Sequence, residues 1–191
     1  DSFYEIKKEH RATLLSAIIL YIVFFLIYLN YSINKGFIYQ FVAAEDMDLT
    51  AIVIGFFSIT LVLVISNYLD TSIHDGIGGL KQIFIMFIYS MGPLMIALLS
   101  TTILSYVLTY NEVFFLNLLM IVGGGWSFIN IFLGINEIHD YSARQTVKSL
   151  LMTVLFTVII AVVIIILVMM WEQLYMFLEA LIKEAIRNVT Q

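Results

Sequence analysis

The stretch SLLMTVLFTVIIAVVIIILVMMW, residues 149–171, contains no charged side chain and is dominated by Ile, Val, Leu and Met. The hydrocarbon core of a bilayer is about 30 Å thick, and a helix of about 20 apolar residues crosses it. Lipid offers no hydrogen-bond partner to the peptide groups of an open strand, whereas a helix satisfies these groups internally. The stretch is therefore predicted to be a transmembrane helix.

Four further charge-free runs precede it, at residues 12–34, 49–69, 82–111 and 113–136. Glu112 is the only charge between the third and fourth runs, and residues 109–112 are expected to form a tight turn at the water interface. Of the 191 residues, 62% are hydrophobic and 12% are charged, whereas a soluble domain has about 45–50% apolar and about 25% charged residues. The predicted fold is all-α, a single membrane domain over residues 1–191 with five transmembrane helices.

The basic residues give an orientation, because Lys and Arg in short loops favour the cytoplasmic side of a membrane. Six of the nine fall on the side of the N-terminus, namely Lys7, Lys8, Arg11, Lys81, Arg144 and Lys148. The opposite side carries Lys35, Lys183 and Arg187. The N-terminus is therefore predicted to be cytoplasmic and the C-terminus external.

Both ends of the chain have the pattern of amphipathic helices at the membrane interface. Ser2 and Glu5 have the spacing of a capping box, in which each side chain satisfies a backbone donor of the other residue. Apolar side chains share one face of residues 172–189, with Glu179 and Lys183 on the opposite face. Two interpretations of this C-terminal helix stay open. It lies in the membrane surface, or it packs against the bundle or a partner subunit.

The third run is the irregular one. As a straight helix its residues would extend about 45 Å, which exceeds the hydrocarbon thickness. It also contains the only proline, at Gly92-Pro93, so a kink is predicted there. In the fourth run Gly123, Gly124 and Gly125 expose backbone and are predicted to pack closely on the kinked helix. The alternative is an unwound substrate site of the transporter type.

The sequence offers no catalytic apparatus. Cysteine is absent, which removes disulfides and thiolate chemistry. Zinc-protease, serine-hydrolase and phosphate-loop motifs are absent too. The five runs contain no ionisable side chain of the kind that proton-coupled carriers keep at depth. A net charge of −5 without a basic patch argues against a nucleic-acid partner. No catalytic residue and no cofactor are predicted.

Two loops on the predicted cytoplasmic side are the best candidates for a partner-binding surface. They carry Asp75, Lys81, Glu137, His139, Asp140, Arg144 and Lys148. Arg144 is suited to a two-bond pair with a carboxylate, which Asp75 or Asp140 would supply. The glycines at 76, 78 and 79 allow left-handed turns that would fold the first loop onto the membrane. The alternative is that these charges only mark the water interface.

The same loops contain the residue types of a metal site, because Asp70 and His74 join the carboxylates and imidazoles named above. Borderline metal ions favour such ligands. However, no ligand spacing is repeated, and charges that flank membrane spans are usually solvated. No metal site is predicted.

A series of short motifs resembles the Yip1-domain family, and its bacterial branch most. The motifs are Phe3-Tyr4-Glu5-Ile6-Lys7, Gly36-Phe37, Ser66-Asn67, Asp75-Gly76-Ile77-Gly78-Gly79-Leu80-Lys81-Gln82-Ile83-Phe84, Tyr89-Ser90, Pro93, Leu104-Ser105, Leu108-Thr109, Ile138-His139-Asp140-Tyr141-Ser142 and Lys148. The resemblance implies five transmembrane helices with a cytosolic N-terminus, here in a bacterial plasma membrane. Eukaryotic members bind prenylated Rab-type GTPases, but this chain lacks their Asp-Leu-Tyr-Gly-Pro motif. A GTPase partner is therefore not expected.

The function expected from these features is that of a non-enzymatic membrane scaffold or adaptor, acting through contacts with proteins or with the lipid bilayer. Genes of bacterial family members often lie beside those of ABC-type transporters, so an auxiliary subunit of such a transporter is the first alternative. A small channel or carrier built around Pro93 and the glycine triplet is the second.

Overall fold

The computed structural model describes residues 13–36, 39, 47–74 and 76–189, without the side chains of residues 184–186, 188 and 189. The segment at residues 2–5 lies outside this part of the chain. The described elements are helices, namely α1 Leu14–Ile33, α2 Leu49–Ile73, α3 Leu80–Ser90, α4 Gly92–Leu104, α5 Val113–His139 and α6 Ala143–Val189, with a 3₁₀ turn at Tyr110–Glu112. Five helical segments are long and apolar enough to cross a membrane, with α3 and α4 together forming the third. The predicted all-α fold with five spans is confirmed.

Local capping fixes where the first two helices begin. Thr13 and Ser16 form a reciprocal capping box, with 3.1 Å between each backbone nitrogen and the other residue's hydroxyl. The Asp48 carboxylate accepts a hydrogen bond from the amide of Ala51 at 3.1 Å. Such side chains satisfy amides that have no intrahelical partner at a helix start.

The third span is the centre of the bundle. α3 packs against α1, α2 and α5, while α4 packs against α1 and α5. α6 is attached at the periphery, mainly along α2. An aromatic cluster joins the first two helices, where Phe24 of α1 meets Phe56 of α2 with ring centroids 5.1 Å apart. α6 therefore contacts the rest of the chain along one side, mainly through α2 and to a smaller extent through α5, and has a wide face turned away from it.

The third span is interrupted at Met91, and its second part begins at Gly92 with Pro93 in the first turn. The first amides of a helix lack partners within that helix. Here the amide of Leu94 donates to the hydroxyl of Ser127 on α5, at 3.0 Å. The span also ends at Leu104, earlier than the charge-free run to residue 111 suggested. An interruption and an earlier end together shorten a run that was too long for the membrane.

The glycine triplet of α5 faces in three directions. A side chain at Gly123 would lie 2.3 Å from the Cβ of Ala97 and 3.1 Å from the carbonyl oxygen of Pro93. Around Gly124, Gly125 and Gly92, no atom lies within 4 Å of the corresponding position. Of the three glycines expected to pack on the third span, only Gly123 therefore does so, because consecutive helical residues point about 100° apart.

α6 is not divided at residue 171, where the fifth span and the amphipathic C-terminal helix were expected to separate. The span at 149–171 and the amphipathic segment at 172–189 form one helix of 47 residues. Neither glycine nor proline occurs between residues 143 and 189 to end it. The change from apolar to charged residues changes the surroundings of the helix without breaking its backbone.

Candidate functional site

A stripe of buried polar side chains lies on α2 where it faces α6. Ser66, Asn67, Asp70 and Thr71 are all buried in the last two turns of α2. Spacings of three and four residues place them on one helical face. On α6, Ser149 and Thr153 are buried opposite them, and the amide of Asn67 donates to the Thr153 hydroxyl at 3.0 Å. A polar seam therefore joins α2 to α6.

Asp70 is the most deeply placed charged residue of this seam, with only 1% of its side chain exposed. The hydroxyl of Ser149 donates to one carboxylate oxygen. The other oxygen lies 2.9 Å from Nδ1 of His74, one helical turn further on. Asp70 was expected in a solvated loop after residue 69, but α2 continues to Ile73 and carries the carboxylate inside the bundle. A buried charge is tolerated only with such partners.

A cavity of about 220 Å³ opens beside this pair. The polar side chains that line it belong to the end of α2 and to the segment leading into α6, namely Asp70, His74, Tyr141, Gln145, Lys148 and Ser149. Ser142 and Gln145 form the capping box of α6, since the Gln145 carbonyl oxygen accepts from the Ser142 amide at 2.8 Å. The cavity is therefore framed by two helix ends.

The glycine turn between α2 and α3 is fitted tightly around His139. Its Nδ1 accepts a hydrogen bond from the amide of Gly78 at 3.1 Å. A Cβ atom at Gly78 would lie 2.4 Å from the side chain of Ile138, and one at Gly76 would lie 2.6 Å from that of Thr71. No described glycine has a positive φ, so the expected left-handed turns do not occur there. These glycines are needed for close approach.

The segment from 139 to 142 meets that turn directly. The rings of His139 and Tyr141 stack at 5.2 Å, and the Tyr141 hydroxyl donates to the carbonyl oxygen of His74 at 3.3 Å. Asp140 ends α5 in the left-handed conformation, with φ 54°, which Asp tolerates better than most residues. We call the end of the bundle formed by residues 74, 76–79 and 139–142 the His74 end.

The residues predicted to bind a partner occupy different environments at the His74 end. Lys81, Asp140, Arg144 and Lys148 are exposed, whereas Glu137 is half-buried. His139 is buried and belongs to the interior. Asp75 lies outside the described residues, so the pairing proposed for it with Arg144 has no structural description. Within the described part of the chain, no three His, Asp or Glu side chains converge in a way that could hold a metal ion.

The opposite end of the bundle is closed by hydrogen bonds. The amide of Gly36 donates to the Ser105 hydroxyl at 2.8 Å, and the Tyr39 hydroxyl donates to the carbonyl oxygen of Thr109 at 2.5 Å. Burial and, secondarily, the nearby charge of Glu112 raise the pKa of Tyr39 above its ordinary value, which keeps the phenol protonated as a donor. The residues from 109 to 112 form the expected turn, where the Thr109 amide donates to the Glu112 carboxylate at 2.8 Å.

The groove beside the helix break is apolar. Its volume is about 280 Å³, and its lining consists of Pro93, Ile96, Ala97, Leu119, Val122, Gly123 and Trp126 with Ser100 as the one polar side chain. Ile96 and Trp126 are exposed at its rim. A substrate site of the transporter type needs polar groups at the unwound helix, so this groove favours lipid contact over transport.

Hydropathy alone does not reveal the buried seam, because it ends each span at the first charged residue. A signal was present in the spacing of Asn67, Asp70 and His74 on α2 and of Ser149 and Thr153 on α6. Polar side chains three or four residues apart at the end of an apolar run mark a face that is turned away from lipid.

Five membrane-spanning helices with little chain between them define a multi-pass integral membrane protein. A family model for the Yip1 domain matches residues 1–166, so the chain belongs to the Yip1-domain family. The match ends within α6, and the helix continues to residue 189. No curated protein and no solved structure matches the chain.

Proposed function

We propose that this chain is a non-enzymatic membrane adaptor that holds another membrane protein subunit on the distal part of α6. The observation that carries the proposal is the exposure of this helix. Between residues 158 and 183, all of them described, no side chain is buried by the rest of the chain. α6 packs on α2 and α5 only through its first part, where its buried side chains lie.

The length of α6 places part of this surface outside the hydrocarbon. A helix of 47 residues is about 70 Å long, more than twice the roughly 30 Å that a span requires. With residues 149–171 in the hydrocarbon, the segment from Glu172 onward extends into the interface and beyond it. Lipid chains do not cover an apolar face there, so water would contact it unless a partner did.

The pattern of that segment fits a helical partner. Trp171, Leu174, Leu178 and Leu181 recur at alternating steps of three and four residues, the spacing of a two-helix seam. All four are exposed, by 46 to 70%. Away from the seam, Lys183 pairs with Glu179 at 2.6 Å. This division into an apolar seam and a charged face favours packing against another helix over immersion in lipid.

We place the His74 end in the cytoplasm of a bacterium and the end of α6 outside, because six of the nine basic residues belong to the first side. The exposed side chains of Lys81, Asp140, Arg144 and Lys148 would form a second contact surface there. ABC transporter components remain candidate partners on the strength of the family resemblance.

Copurification tests the proposal. The full chain, with its tag on the N-terminus, is purified in a mild detergent and its partners are identified. The Leu178→Arg substitution on the seam should lose them, because a charge replaces an apolar contact. Met176→Arg is the matched control, since Met176 is also exposed but lies away from the seam.

Retention of the same partners by Leu178→Arg would contradict this role for α6. A chain that copurifies with nothing in several detergents would contradict the adaptor function itself. An ATP-binding subunit among the partners would identify the auxiliary transporter role as the specific form of that function.

A further inference from the structure

The cavity beside Asp70 lies where the apolar run of α2 ends and charged residues begin. It is lined by the last turn of α2 and the first two turns of α6. Next to it, Leu69 and Ile73 on α2 and Val147 and Leu151 on α6 are exposed apolar side chains of the kind that face lipid chains. Lys148 on the same turns of α6 is exposed and charged. The mouth of the cavity is therefore within reach of a headgroup.

The lining is rich in hydrogen-bond donors. Nδ1 of His74 faces Asp70, so Nε2 is the ring nitrogen that can donate to a ligand. The Gln145 carbonyl oxygen is engaged by the Ser142 amide and hydroxyl, which turns its NH₂ group to other partners. Lys148 adds an ammonium group. The first turn of α6 contributes the positive end of its dipole.

The Asp70 carboxylate in the lining is held between two neighbouring side chains. Asp70 accepts from Ser149 and faces His74, and only 1% of its side chain is exposed. Its second oxygen lies 2.9 Å from Nδ1 of His74 and fixes the orientation of the ring. Lys148 carries the positive charge of the lining and is exposed, whereas the Asp70 carboxylate is buried, which suits a ligand with a single negative charge.

We propose that this cavity binds the phosphodiester of a membrane phospholipid, held by His74, Gln145 and Lys148. A phosphodiester carries one negative charge and accepts several hydrogen bonds, which matches these donors. Free phosphate has the same chemistry, but the position of the mouth beside lipid-facing side chains favours a lipid as its source. The acyl chains would lie along the apolar surface between α2 and α6.

Native mass spectrometry of the full chain in detergent tests the proposal. The probes are dioleoylphosphatidylglycerol, dioleoylglycerol, which lacks the phosphate, and inorganic phosphate. We expect the chain to retain the phospholipid and not the diacylglycerol. Lys148→Gln should weaken phospholipid binding about tenfold, the effect expected when one charge-assisted hydrogen bond is removed.

Arg144→Gln is the matched control, because Arg144 is exposed one turn earlier on α6 and is not part of the lining. It should leave phospholipid binding unchanged. An equal loss in both variants would overturn the proposal, because general attraction to negative charge would then explain the binding. Equal retention of dioleoylglycerol would overturn it too, and binding of inorganic phosphate without the phospholipid would overturn the lipid as its source.

Discussion

At the scale of single residues, the glycines of the turn between α2 and α3 differ in how closely other side chains approach them. Gly76 and Gly78 face the side chains of Thr71, Ile138 and His139, whereas Gly79 faces open space. The imidazole of His139 is buried and accepts from the Gly78 amide. These contacts join two loops that are distant in sequence, so the turn holds the frame of the Asp70 cavity.

Gly78→Ala should therefore destabilise the protein, because its methyl group would lie 2.4 Å from Ile138 and 2.6 Å from His139. Overpacking of a close contact costs about 1–3 kcal/mol. Gly79→Ala is the matched control, and its cost should be smaller, at most about 1 kcal/mol, because Gly79 is the N-cap of α3, where alanine is less favourable than glycine, but no atom crowds the added methyl group. Thermal unfolding in detergent measures both. Equal unfolding temperatures for the two variants would show that the turn is not held against His139.

At the scale of elements, the broken third span depends on its contact with α5. A helix that begins at Gly92 leaves its first amides without intrahelical partners. Ser127 accepts from one of them, that of Leu94. Four residues earlier on α5, Gly123 lets the backbone at Pro93 approach closely. The break, the hydroxyl and the glycine therefore form one interface between α4 and α5.

Leucine substitutions along the triplet should distinguish this interface from the lipid-facing surface. Gly123→Leu should lower the unfolding temperature in detergent, because its side chain would collide with Ala97 and with the Pro93 carbonyl. Gly124→Leu should have little effect or stabilise slightly, because leucine favours a helix over glycine by up to about 1 kcal/mol and no atom lies within 4 Å. Loss of stability in Gly124→Leu alone would mean that α5 is rotated relative to this structure.

At the scale of the whole molecule, the number of spans could be predicted from the sequence, but the way each span packs against its neighbours could not. Hydrocarbon demands a long apolar run for each crossing, so five runs gave five helices. Asp70 was misplaced because hydropathy ends a span at its first charge, while a helix continues wherever a buried charge finds partners such as Ser149 and His74. The rotation that selects Gly123 from its triplet depends on tertiary packing that hydropathy does not describe. The continuation of α6 past Trp171 follows from the absence of glycine and proline there, which hydropathy does not describe either.

The orientation of the whole bundle is a prediction that cysteine labelling tests in intact cells. The chain has no cysteine of its own, so a single introduced thiol reports one position. Asn111 and Asp140 are both exposed, in connections at opposite ends of α5.

With the His74 end in the cytoplasm, Asn111→Cys should react with an impermeant thiol reagent from outside, and Asp140→Cys should react only after the cells are permeabilised. Labelling after permeabilisation is the control for reactivity, because both positions should then react. The asymmetry follows from the placement of six of nine basic residues on one side, since moving such side chains across a bilayer is costly. Reaction of Asp140→Cys alone would invert the bundle and move the cavity beside Asp70 to the outer leaflet. Equal labelling at both positions in intact cells would mean that the two ends of α5 lie on the same side of the membrane.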